Sequence, residues 1–257
     1  MNEPSAGDAR ELRAMRAASF GSHAAAYARH RPGYPRKALS WGLSGAAFTP
    51  VRTVDLAAGT GKVSLGLAEL GLAVTAVEPD PGMRAEFSRL LPQVTALAGT
   101  AENIPLPGGS ADAVVVGQAF HWFDTNAALT EMARVVRPGG VVVALWNHDD
   151  ESVPWVAEFR ALTRTGVSRV WLDDPDVVPA HPAFGAFERE IFPHSQRRTA
   201  ETLVETVATH SHLLVASAEE ANAVLGAALA FLESNPETAG GEFDLPIVTS
   251  VFRARRV

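Results

Sequence analysis

No cysteine occurs in the 257 residues of the chain. This absence excludes disulfide bonds, thiolate metal sites and a cysteine nucleophile. The sequence also contains neither the G-x-S-x-G turn of serine hydrolases nor the H-E-x-x-H pair of zinc proteases. No common motif for covalent or zinc-dependent hydrolysis is therefore present.

Long apolar runs are missing as well. None approaches the about 18 residues that a membrane-spanning helix needs, and the amino terminus has no apolar signal core. It is rich in arginine and alanine, as transit peptides are, but Glu3, Asp8 and Glu11 argue against that interpretation. The net charge of −7 disfavours non-specific binding to nucleic acid. We therefore expect a cytoplasmic protein that acts on small molecules, without a membrane or nucleic-acid partner.

The most informative stretch runs from Val51 to Gly61. Val51–Leu56 is rich in β-branched residues and predicts a strand. Ala57–Gly61 consists mostly of small residues, which can turn tightly beside a ligand. From residue 62 onward, apolar residues recur at helical spacing, at Val63, Leu67 and Leu70. Strand, glycine-rich turn and helix together predict the nucleotide-binding opening of a doubly wound α/β sheet.

The next predicted strand, Ala73–Glu78, ends on a carboxylate. An acid at this place can accept two hydrogen bonds from a ribose diol, which indicates an adenosine-containing cofactor. The dinucleotide fingerprint is matched only in part, because Ser64 stands where a third small residue is expected. Asp55 would be badly placed beside a pyrophosphate and suits a ligand with a cationic amino group.

The run Asp55-Leu56-Ala57-Ala58-Gly59-Thr60-Gly61 resembles the first motif of the class I S-adenosylmethionine-dependent methyltransferases, acid-x-G-x-G-x-G. The resemblance implies S-adenosyl-L-methionine as cofactor and S-adenosyl-L-homocysteine as product. Ala57 replaces the first glycine of the motif. We expect the replacement to ask only for a negative φ at this position.

Two further stretches resemble the methyltransferases related to trans-aconitate methyltransferase. One is Phe20-x6-Tyr27-x3-Arg31-Pro32-x-Tyr34-Pro35, and the other is Gln118-Ala119-Phe120-His121-Trp122-Phe123. By spacing alone, the first predicts only a helix from about residue 12 to His30 and then a linker. The resemblance implies that Arg31 pairs with the cofactor carboxylate, that Tyr27 faces the substrate pocket and that Gln118 meets the methionine part.

The same family implies adenine contacts from two loops. Pro79 and Met83 follow the ribose acid, although a methionine at this spacing could equally be plain core. In the loop after the third strand, Thr100 stands in place of the usual acid, and the amide of Ala101 would read the adenine edge; Glu102 is solvent-facing or a hinge contact. The candidate cofactor-binding residues are Arg31, Asp55, Ala57, Gly59, Gly61, Glu78, Pro79, Met83, Thr100, Ala101, Glu102 and Gln118.

The candidate substrate residues follow two predicted central strands. Ala111–Gly117 is apolar apart from Asp112, as a strand buried on both faces should be. It leads into His121 and Trp122, which are candidates for a catalytic base and a pocket wall because ligands lie beyond the carboxyl ends of such strands. Aromatic residues there could also be core. The candidate substrate residues are Tyr27, His121, Trp122, Trp146 and His148.

The resemblance implies a Rossmann-like, doubly wound sheet of seven strands, mostly parallel with an antiparallel last strand, and with helices on both faces. We expect an N-terminal helical cap over residues 1–50 and a core over 51–257, with a substrate-covering insertion at about 150–190. No metal is expected. Asp173-Asp174-x-Asp176 lacks the spacing of a calcium loop, and His210-x-His212 points its two rings apart on a helix.

The implied reaction is displacement at a sulfonium methyl group, in which the protein mainly aligns the reactants. The chain lacks the Asn/Asp-Pro-Pro-Tyr motif of amino-group methylation, so a small oxygen acceptor is favoured. His121 could take the proton of a hydroxyl. A carboxylate acceptor needs no base, and a cation such as Arg31 or another arginine would then matter more. Two alternatives stay open. One is a nicotinamide-dependent oxidoreductase, disfavoured by Asp55, Ser64 and the absence of Tyr-x-x-x-Lys; the other is a cofactor-binding protein without chemistry.

Overall fold

The computed structural model describes residues 24–164, 177–210, 213 and 216–257. Phe20, the acidic cluster at 173–176 and His212 lie outside the described residues, as does the predicted helix between residues 12 and 23. Within the described ranges, no helix is long and apolar enough to cross a membrane. The same ranges hold no group of three or more histidine or acidic residues arranged to bind a metal ion.

Seven strands in the described part of the chain form one sheet, with the order β3-β2-β1-β4-β5-β7-β6. The pairs β1–β2, β1–β4, β2–β3 and β4–β5 are parallel. The strands are β1 Arg52–Leu56, β2 Ala73–Val77, β3 Thr95–Leu97, β4 Ala111–Gly117, β5 Val136–Asp149, β6 Glu188–Arg198 and β7 Phe243–Arg255. The predicted seven-stranded, Rossmann-like fold is confirmed.

Strand β7 runs antiparallel to β5. The backbone N–H of Arg256 donates to the carbonyl of Gly140 at 2.8 Å, next to the start of the paired region. Further along, Thr249 contacts Asn147, so residue numbers rise in one strand as they fall in the other. β7 therefore lies between two strands that precede it in the chain, as the antiparallel last strand of the prediction requires.

Helices precede and follow the strands. Asp80 caps the helix Pro81–Leu90 by accepting a hydrogen bond from the N–H of Met83, and Pro81 takes the first helical position, which suits its fixed φ. The helices are α1 Ala24–His30, α2 Arg36–Leu43, α3 Lys62–Glu69, α4 Pro81–Leu90, α5 Thr125–Val135, α6 Pro154–Thr163, α7 Ala200–Ala208 and α8 Ala218–Ser234, with a 3₁₀ turn at Phe120–Trp122.

Strand β5 begins before the segment Arg137–Gly140, whose proline and two glycines are typical of a turn. Val136 already pairs with Ala111. An irregularity in the ladder absorbs the extra residues before Val141 pairs with Ala113. Pairing with β4 therefore makes the glycine-containing segment Arg137–Gly140 part of the strand.

The residues of β5 alternate between two apolar layers, as a strand with both faces buried requires. Val142, Ala144 and Trp146 pack in the layer that includes α5. Val141, Val143 and Leu145 pack in the layer that includes α2 and α3. The polar residues at the end of this strand consequently point to opposite sides of the sheet.

The described residues separate into two compact units. One comprises those within Met1–Arg31, Asp149–Arg169 and Gln196–Pro246, and it contains α1, α6, α7 and α8. The other comprises those within Pro32–His148, Val170–Ser195 and Ile247–Val257, and it holds the glycine-rich turn. The predicted division into a cap, a core and an insertion stays a prediction.

Candidate functional site

The glycine-rich turn is built from left-handed backbone. Gly59 has φ 55° and Gly61 has φ 92°, and a Cβ at Gly61 would lie 2.6 Å from the Leu91 side chain. Ala57 also has a positive φ, of 56°. The expectation of a negative φ at Ala57 is therefore wrong. The tight exit from β1 imposes the left-handed conformation on whichever residue stands there, and an alanine accepts it at some cost in strain.

Asp55 supports this turn from inside the protein. Its side chain is 0% exposed, and its Oδ2 accepts hydrogen bonds from the N–H and hydroxyl of Ser64, at 2.8 and 2.7 Å. Oδ1 is buried without a partner among the described residues. Burial raises the pKa of Asp55 to about 7, although the bonds from Ser64 act to lower it. In this arrangement Asp55 fixes the start of α3. Ser64, which stands where the dinucleotide fingerprint has a third small residue, is the hydrogen-bond partner of Asp55.

Glu78 joins the turn to the start of the next helix. Its Oε2 accepts from the N–H of Gly59 and its Oε1 from the N–H of Asp80, both at 2.9 Å. Burial raises the pKa of Glu78 above its ordinary value, and these hydrogen bonds only partly offset the effect. A carboxylate has about four acceptor positions, so each oxygen retains capacity for a ligand hydroxyl.

The predicted adenine contacts fall on the two loops beyond β2 and β3. Pro79 is exposed, whereas Met83 is buried on α4. Thr100 is exposed, and Ala101 is buried in the core layer beside α5. Glu102 accepts a hydrogen bond from the N–H of Asp124 at 3.0 Å, so it ties this loop to the capping residue of α5.

Gln118 follows β4 directly and also has left-handed backbone, with φ 60°. Its side-chain Nε2 donates to the carbonyl of Asn147 at 2.7 Å. The side chain of Asn147 in turn donates to the carbonyl of Gly33 at 2.9 Å. Next to Gly33, the Tyr34 hydroxyl packs so closely on Gly117 that a Cβ there would lie 2.6 Å from it. Part of the Arg-Pro-Gly-Tyr-Pro segment is thus fixed over the carboxyl ends of β4 and β5.

The aromatic candidates lie on the other side of the sheet. His121 and Trp122 are half-buried, with ring centroids 4.6 Å apart. Trp146 is only 3% exposed and packs edge-on against Phe252, and its indole N–H has no partner among the residues that the structure describes. His148 lies 3.3 Å from the Ser250 hydroxyl. Trp146 therefore belongs to the core, while His121 and Trp122 keep partly open surfaces.

Two predicted residues lie in the other compact unit. Arg31 donates from Nε to the Thr209 hydroxyl and from Nη2 to the Thr209 carbonyl, both at 3.1 Å. Tyr27 lies on α1. Their predicted roles toward the cofactor carboxylate and the substrate stay predictions.

Comparison with known proteins identifies the family. Residues 54–144 match the family described as a methyltransferase domain. An uncharacterized methyltransferase of Mycobacterium tuberculosis is 40% identical over 241 residues, which cover 92% of this chain and 95% of the relative. The chain belongs to the methyltransferases.

Two more similarities agree with this assignment. An uncharacterized methyltransferase of Schizosaccharomyces pombe is 30% identical over 190 residues, covering 72% of this chain and 75% of the relative. The solved structure of a proposed type II methyltransferase from Anaeromyxobacter dehalogenans superimposes with a TM-score of 0.70 at 27% identity, covering 88% of this chain and 97% of that one. This methyltransferase uses S-adenosyl-L-methionine as its cofactor.

The residues of the turn fit that cofactor. Gly59 has nothing within 4 Å of where its Cβ would stand, so a ligand can approach its backbone. The Thr60 hydroxyl is buried without a partner within the described ranges. Glu78 supplies carboxylate oxygens of the kind that bind a ribose diol.

Thr249 and His194, which contact Asn147, were not predicted as site residues of this methyltransferase. The sequence held a signal for them. Thr249 and Ser250 interrupt the apolar middle of β7, and both are completely buried. Buried polar residues in a strand need partners, and these partners lie at the end of β5 and on β6.

Proposed function

We propose that this methyltransferase transfers the methyl group of S-adenosylmethionine to an oxygen atom of a small molecule in the cytoplasm, and that it belongs to the subgroup related to trans-aconitate methyltransferase. The observation that carries the acceptor assignment is the His121–Trp122 pair. The two rings stand in contact directly after the central strand β4, on partly open surface. An imidazole beside an aromatic wall suits a neutral or weakly acidic oxygen acceptor.

Bound S-adenosylmethionine carries a methyl group that its sulfonium already activates, so the protein needs no nucleophile of its own. The work of the chain is to bind and to orient. Glu78 accepts hydrogen bonds from the ribose hydroxyls, Gly59 leaves room for the ligand, and Gln118 holds the methionine part. Holding two reactants in line is a large source of rate in such a reaction.

The role of His121 depends on the acceptor. A hydroxyl group must lose its proton as the new bond forms, and the imidazole of His121 can accept that proton. A carboxylate has no proton to lose, and a guanidinium such as Arg31 would then matter more, because it binds carboxylates through two parallel hydrogen bonds. The absence of an Asn/Asp-Pro-Pro-Tyr motif supports oxygen over an amide or amino nitrogen.

Calorimetric titration with S-adenosylhomocysteine tests the binding part of the proposal, with NADH as the competing ligand. We expect S-adenosylhomocysteine alone to bind, and Glu78→Ala to weaken it at least tenfold, or about 1.4 kcal/mol. Glu69→Ala, an exposed acid on α3, is the matched control and should bind like the wild type. Binding of NADH alone would overturn the proposal.

A screen of carboxylic acids, phenols and alcohols tests the catalytic part. Methylation of one of these classes, measured as release of S-adenosylhomocysteine, supports the oxygen acceptor. Transfer only to amines would contradict it. A chain that binds S-adenosylhomocysteine and methylates nothing in any class would favour the alternative of a cofactor-binding protein without chemistry.

A further inference from the structure

The buried middle of β7 contains two polar residues that the proposed reaction does not use. Thr249 and Ser250 are both 0% exposed. Neighbouring residues of a strand point to opposite faces, and the contacts follow this rule. Ser250 meets His148, whereas Thr249 meets Asn147 and His194.

The contacts of Thr249 form a continuous chain across three strands. Its hydroxyl lies 2.9 Å from Nε2 of His194 on β6 and 2.5 Å from Oδ1 of Asn147 on β5. Asn147 then donates from Nδ2 to the carbonyl of Gly33. These hydrogen bonds therefore join β6, the outer strand of the sheet, to the Gly33–Tyr34 segment, which lies over the carboxyl ends of β4 and β5.

The donor and the acceptor of each hydrogen bond from His194 through Thr249 and Asn147 to Gly33 can be derived. The Gly33 carbonyl can only accept, so the side-chain amide of Asn147 must present its NH₂ group to Gly33 and its oxygen to Thr249. The Thr249 hydroxyl has one proton, and it must point to the Asn147 oxygen. Thr249 can then only accept from His194, which requires a proton on Nε2. Burial lowers the pKa of His194, which favours the neutral ring with this single proton.

Asn147 also receives the side chain of Gln118 on its backbone carbonyl. One residue thereby holds both the predicted methionine-binding residue and Gly33. Tyr34 follows Gly33, and its hydroxyl packs on Gly117, the residue before Gln118. A shift of Asn147 would therefore move Gln118, which binds it directly, and Tyr34, which follows the Gly33 that Asn147 binds.

We propose that Thr249 and His194 are positioning residues for the cofactor site, and that they act through Asn147 on Gln118 and on the Gly33–Tyr34 segment. They do not touch the reacting groups. Their hydrogen bonds fix the Asn147 side chain in the orientation that binds Gly33, and the backbone carbonyl of the same residue binds Gln118. The proposal rests on the proposed function, since it assigns Gln118 to the cofactor.

Fluorine NMR on protein containing 3-fluorotyrosine tests the positional part. The chain has two tyrosines, so comparison with Tyr27→Phe assigns the Tyr34 resonance. Thr249→Val has nearly the same shape but no hydroxyl, and we expect it to shift or broaden the Tyr34 resonance. Thr249→Ser keeps the hydroxyl and should leave the resonance in place. An unchanged Tyr34 resonance in Thr249→Val would overturn the positioning role.

Titration with S-adenosylhomocysteine, well below the unfolding temperature, tests the functional part. We expect the dissociation constant to rise at least fivefold in Thr249→Val and to stay within twofold of wild type in Thr249→Ser. For His194, a glutamine retains an N–H donor near the Nε2 position and a leucine does not, so Gln should bind tightly and Leu weakly. Equal affinity of all four variants would contradict the proposal, even if some are less stable.

The two proposals fail in different ways. A wild-type protein that binds no S-adenosylhomocysteine would refute the proposed function. The Tyr34 resonance and the protonated nitrogen of His194, read from ¹⁵N shifts, report on the network in either case. A His194 ring protonated only on Nδ1 would refute the derived direction of the hydrogen bonds and with it the positioning mechanism.

Discussion

Ala57 and Gly59 adopt the same left-handed backbone, with φ of 56° and 55°, although only one of them is a glycine. An L-residue with a Cβ pays about 1 kcal/mol in this region. We therefore expect Ala57→Gly to raise the free energy of unfolding by about 0.5–1 kcal/mol, measured by urea denaturation.

The neighbouring alanine provides the control. Ala58 is not among the described residues with positive φ. Ala58→Gly therefore relieves no backbone strain and only raises the conformational entropy of the unfolded chain. It should lower the stability by about 0.5–1 kcal/mol. Opposite signs for the two variants are the expected result; a loss of stability in both would show that Ala57 is not strained.

Asp55 makes the stability of the fold depend on pH. Its pKa of about 7 in the folded state lies above the unfolded value, so the folded state holds a proton that the unfolded state has lost. The contribution of Asp55 to the free energy of unfolding is therefore fully present below about pH 4. It declines as the pH rises from about 4 to 7, by about 4 kcal/mol at most. We expect Asp55→Asn, which cannot ionise, to flatten this decline in chemical unfolding measured across that range.

Some decline should persist in Asp55→Asn, because the pKa of Glu78 is raised as well and acts in the same direction. Asp244→Asn, on an exposed residue of β7, should keep the full slope. A wild-type stability that increases between pH 4 and 7, with the same curve in Asp55→Asn, would contradict the buried, protonated acid.

His121 is expected to matter for one acceptor class only. If the acceptor is a hydroxyl, His121→Ala should lower kcat by about 100-fold or more, the usual contribution of a general base. With a carboxylate acceptor the loss should stay below about tenfold, since no proton is removed. Steady-state rates at saturating cofactor distinguish the two acceptor classes. An unchanged turnover of a hydroxyl acceptor by His121→Ala would refute the role of His121 as general base.

Asp112 is expected to matter for stability alone. It is buried at the far end of β4, where it accepts from the backbone N–H groups of Val51 and Arg52 and pairs with Arg137 at 2.9 Å. Burial acts to raise the pKa of Asp112, but these bonds outweigh it and the pKa lies below its ordinary value.

Asp112→Ala leaves two backbone donors without their acceptor, so we expect a loss of about 2–4 kcal/mol in the free energy of unfolding. Asp112→Asn retains one acceptor oxygen and should lose less. The affinity for S-adenosylhomocysteine, measured where both variants are folded, should equal that of the wild type. A weakened affinity at full folding would mean that this end of the sheet contributes to the site.

The sequence was sufficient for most of the fold because its signals are local. Strand β1, the glycine-rich turn and α3 follow each other directly, and Glu78 ends the next strand, so one stretch specified both the architecture and the nucleotide-binding opening. The capping of α4 by Asp80 and Pro81 was likewise readable from adjacent residues.

The missed features depend on distant parts of the chain or on backbone geometry. Residue type alone does not reveal that Ala57 is left-handed, since the turn between β1 and α3 imposes it. The chain from His194 through Thr249 to Asn147 exists only because β7 inserts between β5 and β6. No periodicity within a single segment encodes such a contact.

The position of β7 also has a consequence for the nascent protein. Strand β6 leaves the ribosome first, yet its neighbour in the sheet is β7, so it has no pairing partner until β7 has been made and inserted. An unpaired strand edge at this stage invites association with other chains. β6 carries Pro193 and the charged run Glu188-Arg189-Glu190, which disfavour such pairing. The residues of this outer strand thus protect the protein twice: while it waits to fold, and afterwards as the border of the finished sheet.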